Sequence, residues 1–151
     1  MTRANDYIRQ LNLLPHEENG KYIPVRYAHE SGERASSGSC LYYLGENEHS
    51  KFHIIDCDEY WVYNLGSDLE LWIVFPDESF EIKILGTGKD ASVIHFIPKG
   101  SLFAARHKQN SSDGTLLSLV TVPGFVEGSS CRLYTPEEVL KQYPFLESFW
   151  K

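Results

Sequence analysis

The sequence lacks the surplus of basic residues that a nucleic-acid-binding surface requires. Its 151 residues include 14 lysines and arginines against 21 aspartates and glutamates, which gives a net charge of -7. Because phosphate binding needs a concentrated positive surface, this balance predicts no nucleic-acid partner. No segment approaches the roughly 20 apolar residues of a membrane span, so we also expect no membrane partner.

The sequence also has no Cys-x-x-Cys pair and no apolar run near its first residues. The three cysteines, Cys40, Cys57 and Cys131, are odd in number, and none stands in a Cys-x-x-Cys motif. This usage is typical of reduced, partly buried thiols in a cytosolic protein. The first residues, Met1 to Asp6, have no apolar run behind their charge, so we expect no signal peptide. The expected location is therefore cytoplasmic.

Most of the chain consists of short segments rich in aromatic and aliphatic residues, with turn residues between them. The segment 80–85 alternates apolar and polar side chains, as a strand with one buried face does. Similar segments recur at spacings of roughly 8–12 residues, which is typical of an all-β sandwich or barrel. We predict strands at 40–44, 61–65, 69–75, 80–85, 92–97 and 116–122. The length predicts one domain that covers residues 1–151.

Short helices are predicted on both sides of the strands. Near the amino terminus, the apolar residues of Tyr7–Leu11 have helical spacing, and Asp6 is the predicted N-cap. Near the carboxyl terminus, Thr135 precedes Pro136 in the first turn and Glu138 three residues later, which is the pattern of a capping box. Helices this short are expected to pack on a sheet.

The segment from Lys51 to Gly66 carries the polar residues best suited to chemistry. Strand alternation puts Lys51 and His53 on one face of a strand, and Glu59, Trp61 and Tyr63 on one face of the next. If both faces point inward, an imidazole and a carboxylate meet across a hairpin among aromatic rings. Such a pair can move protons or bind a metal. The alternative is a surface hairpin with its polar groups in solvent.

The order of several motifs resembles that of the cupins. His53, Glu59 and Gly66 match the end of the first cupin motif, and Pro98-Lys99-Gly100 matches the Pro-x-Gly of the second. More specifically, the chain is similar, from about residue 11 to 144, to a family of small single-domain cupins that are mostly uncharacterised. This resemblance implies an RmlC-like jelly-roll barrel, or double-stranded β-helix, related in fold to the keto-sugar 3,5-epimerases. It also implies a homodimer.

The chain departs from the metal-binding pattern of the cupins. That pattern has two histidines at i and i+2, a glutamate, and a histidine after the Pro-x-Gly turn, and these positions hold Lys51, His53, Glu59 and Phe103 here. Two ligands rarely hold a divalent metal tightly, and the ammonium of Lys51 repels a cation. We therefore expect no metal cofactor. The alternative is a divalent metal on His53 and Glu59, with His49 or His107 as a substitute ligand.

A small molecule in the barrel pocket is the expected partner. The residues predicted to line this pocket are Lys51, Tyr42, Trp61, Phe103 and Arg106. Arg106 can make a bidentate contact with an anionic ligand, or it can form a surface salt bridge instead. The aromatic residues belong to the core by default, although ligand cavities are largely apolar and one or two of these rings can line one. A turn that is of Glu-Gly-Gly type in the family reads Glu18-Asn19-Gly20 here.

Three functions follow from these residues and from the resemblance. The first is a metal-independent isomerase or epimerase that acts on a sugar or another small polar ligand. In it His53 is the base, Glu59 orients His53, and Tyr63 or Tyr42 is the acid. The second is a non-catalytic module that binds or senses a small molecule. The third is a metal-dependent dioxygenase or isomerase with rearranged ligands. The sugar rests on likeness of fold, which does not fix function.

Overall fold

The computed structural model describes residues 3–26, 29–30, 33–108 and 110–151. The strands of the first half are Leu14–Pro15 (β1), Lys21–Arg26 (β2), His29–Glu30 (β3), Glu33–Arg34 (β4), Gly38–Leu44 (β5), His53–Ile55 (β6), Asp58–Gly66 (β7) and Leu69–Val74 (β8). Those of the second half are Phe80–Leu85 (β9), Ala91–Ser92 (β10), Ile94–Ile97 (β11), Leu102–His107 (β12), Thr115–Val122 (β13) and Cys131–Leu133 (β14). The helices are Ala4–Tyr7 (α1) and Pro136–Gln142 (α2), followed by 3-10 turns at Ile8–Gln10 and Pro144–Trp150. Within these ranges no helix is long and apolar enough to cross a membrane.

Two six-stranded sheets form the body of the protein, which confirms the predicted all-β architecture. The first sheet has the strand order β1-β2-β5-β13-β7-β11, and the second has the order β10-β9-β8-β12-β6-β14. The consecutive strands β6 and β7 belong to different sheets, since β7 pairs with β13 and β11 while β6 pairs with β12 and β14. The predicted hairpin between them is therefore wrong. The chain passes from one sheet to the other between Ile55 and Asp58.

Strand alternation decides which side chains reach the interior between the two sheets. Along β12, Phe103 and Ala105 belong to the interior cluster, to which both sheets contribute. Leu102 and Ala104 belong to a second cluster on the outer side of the same sheet. The same alternation places Arg106 on the outer side. The outer cluster is covered by α2 and the turn that follows it, through Val139, Leu146 and Phe149.

The predicted carboxyl-terminal helix forms with its predicted cap. The predicted amino-terminal helix does not form over its predicted range, since Ala4–Tyr7 is one turn of α-helix and Ile8–Gln10 is a 3-10 turn. The hydroxyl of Thr135 accepts from the backbone N–H of Glu138, whose carboxylate accepts from the backbone N–H of Thr135, and this confirms the capping box. The first helix begins at Ala4, so Asp6 lies inside it and the prediction of Asp6 as N-cap is wrong. Instead, the carboxylate of Asp113 accepts from the N–H of Ala4 at 2.8 Å. Local spacing cannot reveal a cap that lies 109 residues away.

Candidate functional site

The centre of the candidate site is a close contact between His53 and Glu18. His53 is the first residue of β6 and is 1% exposed, while Glu18 lies in the turn between β1 and β2 and is 5% exposed. The imidazole donates from Nδ1 to the backbone carbonyl of Lys51 at 2.7 Å, so Nδ1 carries a proton. Nε2 lies 3.3 Å from Oε1 of Glu18. This is longer than the roughly 2.7–2.9 Å of a charge-assisted hydrogen bond.

Glu18 is the residue of the candidate site that the sequence did not predict as the partner of His53. Its turn is held by backbone contacts: Lys51 N–H donates to the Glu18 carbonyl at 2.8 Å, and His16 Nδ1 accepts from Glu18 N–H at 3.1 Å. Gly20 ends the turn with φ of 73°, and a Cβ there would lie 2.6 Å from the carbonyl oxygen of Tyr43. The only signal in the sequence was the Glu18-Asn19-Gly20 turn itself, which holds the glutamate of the family's turn.

Glu59 supplies a second buried carboxyl group from the opposite sheet. It lies on β7, is 5% exposed, and its Oε1 accepts from Nε1 of Trp61 at 2.5 Å. Burial, and to a smaller extent the negative charge of Glu18, raise the pKa of Glu59 to about 8. Glu59 is therefore mainly protonated at neutral pH. The interior thus contains one carboxylate beside a histidine and one carboxylic acid that can donate a proton.

Aromatic rings surround these polar groups, as the sequence predicted for three of them. The ring centroid of Phe103 lies 4.2 Å from that of His53 and 5.9 Å from that of Trp61. Tyr42 is fully buried, and its hydroxyl donates to the carbonyl of Asn19 at 2.7 Å. Burial raises the pKa of Tyr42 well above its ordinary value, so the hydroxyl keeps its proton. Tyr42, Trp61 and Phe103 therefore all lie in the interior cluster.

Two thiols complete the interior beside the carboxyl groups. The Sγ of Cys131 donates to Oε1 of Glu18 at 3.4 Å, the same oxygen that faces His53. Burial and the charges of Glu59 and Glu18 raise the pKa of Cys40 to about 12. Burial likewise raises the pKa of Cys131. Both thiols therefore remain protonated at neutral pH, which makes them hydrogen-bond donors rather than nucleophiles.

Two of the predicted ligand-binding residues lie outside this interior. The side chain of Lys51 is exposed, because β6 begins only at His53 and its alternation does not extend back to Lys51. Arg106 faces the outer side of the second sheet. Its Nε donates to Glu70 at 2.8 Å, its Nη1 donates to the carbonyl of Phe149 at 2.8 Å, and its guanidinium lies over the Trp72 ring. The prediction that Lys51 and Arg106 line the interior pocket is therefore wrong.

Tyr63, the third predicted catalytic residue, shares the inward side of β7 with Glu59 but lies far along it. Four residues of strand separate the two side chains by about 13 Å. The Tyr63 hydroxyl donates to the carbonyl of Gly66 at 2.6 Å, and burial raises the pKa of Tyr63. The predicted acid Tyr63 therefore does not lie beside Glu59, and Glu59 is the carboxyl group of this interior that keeps its proton.

The residues at the cupin metal positions do not fit a divalent metal. The exposed side chain of Lys51 and the ring of Phe103 stand at two of the ligand positions, and Phe103 packs against the imidazole of His53. In the described part of the chain, no group of three or more His, Cys, Asp or Glu side chains is arranged to hold an ion. His49 and His107 line a surface cavity of about 390 Å³ that His53 does not reach.

A surface cavity of about 460 Å³ lies on the outer side of the turn that carries Glu18. Pro15, His16, Asn19 and Gly20 line this cavity, whereas Glu18 and His53 do not. His16 connects the cavity with the interior, since its Nδ1 accepts from the N–H of Glu18 and its ring lies 5.6 Å from that of Tyr42. The turn therefore separates the cavity from the buried polar groups.

These features define a cupin barrel whose polar centre is a His–Glu contact and a carboxylic acid, without the usual set of metal ligands. The chain belongs to the family described as Cupin superfamily (DUF985), whose model matches residues 5–130. This confirms the cupin fold that the motifs predicted. No curated protein matches the chain significantly.

Solved structures agree with this assignment. A protein from Shewanella oneidensis is 25% identical with a TM-score of 0.85, over 98% of this chain and 94% of that one. A hypothetical protein from Leishmania major is 24% identical with a TM-score of 0.84, over 97% and 96% of the two chains. Oxalate decarboxylase from Bacillus subtilis is similar in fold, at 18% identity and a TM-score of 0.60, over 87% of this chain and 34% of its own.

Proposed function

We propose that this cupin binds a small polar carbonyl compound and moves a proton at the carbon beside the carbonyl group, as an isomerase or epimerase does, without a metal. The observation that supports the proposal is the pair of buried carboxyl groups. Glu18 faces Nε2 of His53, and Glu59 keeps its proton at neutral pH. A base and an acid held in one low-dielectric interior are what such proton transfer requires.

In the proposed reaction His53 is the base. Because Nδ1 is held by the Lys51 carbonyl, Nε2 is the nitrogen that takes the proton from the substrate carbon. Glu18 then stabilises the imidazolium that forms. The electron pair of the broken C–H bond becomes the carbon–carbon double bond of an enol, and the carbonyl oxygen takes the proton of Glu59. An epimerisation is complete when His53 returns a proton to the other face of the same carbon and the enol proton goes back to Glu59. An isomerisation of a hydroxy-ketone is complete when His53 gives the proton to the former carbonyl carbon and the neighbouring hydroxyl gives its proton to Glu59.

Hydrogen–deuterium exchange tests this proposal directly. The wild-type protein in D₂O should incorporate deuterium beside the carbonyl group of a hydroxy-ketone or keto-sugar, as followed by NMR. The His53→Gln variant should lose this exchange by about 100-fold or more, the usual contribution of a general base. Glu81→Gln, which removes an exposed carboxylate on β9, is the matched control and should exchange like the wild type. Exchange that survives in His53→Gln would contradict the proposal.

The burial of the polar groups favours a second candidate, a module that binds a small molecule without turnover. His53, Glu18 and Glu59 are only 1–5% exposed, which leaves little access for a substrate that must enter and leave. For such a module, a compound from a metabolite library should shift the NMR signals of the His53 ring with no exchange at carbon. Exchange that depends on His53 would exclude this candidate.

The homodimer implied by the cupin resemblance is part of the proposal. β11 is the edge strand of the first sheet, and its outward side carries the exposed residues Ile94 and Phe96. Phe96 packs against Tyr60 of β7, with the ring centroids 5.1 Å apart. An uncharged apolar face beside an open sheet edge is a surface that a second copy of the chain can cover.

A further inference from the structure

The interior around His53 holds two carboxyl groups and no cationic side chain near them, among the side chains that the structure describes. Of the lysines and arginines there, Lys83, Arg106 and Arg34 are the ones with partly buried side chains. Arg34 lies 2.8 Å from Asp56, with its Nη2 3.1 Å from Sγ of Cys57. Arg106 lies on the outer side of the second sheet, paired with Glu70. Lys83 lies 3.8 Å from Glu81 and over the ring of Phe75. Its strand, β9, is three strands away from that of His53, or about 14 Å.

This charge distribution disfavours a negatively charged ligand. A carboxylate or phosphate removed from water needs a cation or several hydrogen-bond donors to replace its hydration. Here the imidazole of His53 can offer one positive charge, which the carboxylate of Glu18 already compensates. At an effective dielectric constant of about 20, one negative charge about 8 Å from Glu18 weakens binding about 30-fold.

A neutral hydroxylated compound, in contrast, finds matching groups in the same interior. The carboxyl oxygens of Glu18 and Glu59 can accept hydrogen bonds from hydroxyl groups, and the protonated Glu59 can donate one to a carbonyl oxygen. The rings of Trp61 and Phe103 belong to the same interior cluster. The interior is therefore suited to a polar molecule that carries no charge.

We propose that the site selects electrically neutral, hydroxylated carbonyl compounds, such as free keto-sugars, and excludes sugar phosphates and nucleotide-linked sugars. This inference rests on the proposed function, because it assigns the ligand to the same site beside His53. It departs from the sugar-nucleotide substrates that a likeness to the keto-sugar epimerases suggests, and it does so on the charges of the interior alone.

Matched pairs of ligands test the inference on the wild-type protein. Dihydroxyacetone and its phosphate, and fructose and its 6-phosphate, are compared by ligand-observed NMR for binding and by deuterium exchange at carbon for turnover. Each neutral compound should bind at least tenfold more tightly than its phosphate. The preference should grow between about pH 7.5 and 9, where the phosphate is already a dianion and Glu59 loses its proton.

A variant separates the charge effect from the shape of the ligand. Glu18→Gln removes the negative charge beside His53 and should reduce the preference for the neutral member of each pair at least tenfold, whereas the exposed Glu81→Gln should not change it. If Glu18→Gln does not fold, the pH dependence of the preference for the neutral compound, measured on the wild type, tests the same inference.

The outcomes distinguish this inference from the proposed function. Exchange of a phosphate as fast as that of its neutral partner would overturn the inference and support the proton-transfer function. Tighter binding of neutral compounds without exchange would support the inference and overturn the isomerase. Binding of neither member of any pair, or equal binding of both, would overturn the inference.

Discussion

The protonated state of Glu59 makes a measurable prediction about stability. Replacing Glu59 by glutamine leaves a neutral side chain of nearly the same shape, and its amide oxygen can still accept from Nε1 of Trp61. The variant therefore keeps the packing and the hydrogen bond of the protonated carboxyl group but cannot ionise. Any difference in the pH dependence of unfolding between the wild type and Glu59→Gln then reports on the ionisation of this one group.

The sign and size of the effect follow from the shift in pKa. Burial and the charge of Glu18 raise the pKa of Glu59 from 4.5 to about 8, so the folded protein binds this proton more tightly than the unfolded chain does. The resulting stabilisation is fully present below pH 4.5 and is lost as the pH rises through 8. Within this window the free energy of unfolding should fall by about 1.4 kcal/mol per pH unit, or about 5 kcal/mol in all.

Urea unfolding at a series of pH values, from about 5 to 9, measures this dependence. The free energy of unfolding of the wild type should fall with pH relative to that of Glu59→Gln, and the variant should be the more stable protein at the alkaline end. Glu81→Gln, with its exposed side chain, should follow the wild type throughout. Parallel profiles for the wild type and Glu59→Gln would refute the view that Glu59 is held protonated in the fold.

Three further substitutions test where the structure places the predicted residues. Arg106→Met removes the hydrogen bonds to Glu70 and to the carboxyl-terminal carbonyls, so it should lower the free energy of unfolding by about 2 kcal/mol. Ligand binding should stay unchanged, and weaker binding by this variant would indicate that Arg106 contacts the ligand. Tyr63→Phe should change the rate of deuterium exchange less than about twofold, because the Tyr63 hydroxyl donates its hydrogen bond to the Gly66 carbonyl. A decrease of about 100-fold in that rate would indicate that Tyr63 is the acid. Phe96→Glu should convert the dimer to monomers in sedimentation, and a wild type that sediments as a monomer would contradict the dimer.

The features of the fold that depend on neighbouring residues could be predicted from the sequence. The alternation at 80–85 predicted β9 with its observed bounds, since the hydrophobic period of a half-exposed strand is local. The capping box at Thr135 was predicted for the same reason, because cap and partner are three residues apart. The cupin motifs, which follow one another along most of the chain, predicted the barrel.

The features that depend on the pairing of distant segments could not be predicted from the sequence. The spacing of His53 and Glu59 suggested a hairpin, but β6 and β7 pair in different sheets, and this depends on strands far along the chain. Alternation says that two residues share a face only if the strand includes both, and β6 excludes Lys51. Phe103 and Arg106 are three residues apart on β12, so alternation itself already excludes the prediction that both line the pocket. The partner of His53 comes from a turn 35 residues earlier, and no local pattern connects Glu18 to it.

The residues at the metal positions and the protonation of Glu59 are connected by one electrostatic argument. A divalent cation would let two neighbouring carboxylates stay ionised in a buried interior. Here Phe103 and Lys51 stand in place of two of the ligands that could hold such an ion, and, among the side chains that the structure describes, the imidazole of His53 is the group that faces the charge of Glu18. Two buried carboxyl groups cannot both ionise under these conditions, and the one without the histidine keeps its proton. The residues at the metal positions thus leave Glu59 as the protonated carboxyl group that the proposed function uses as its acid, with His53 as the proposed base.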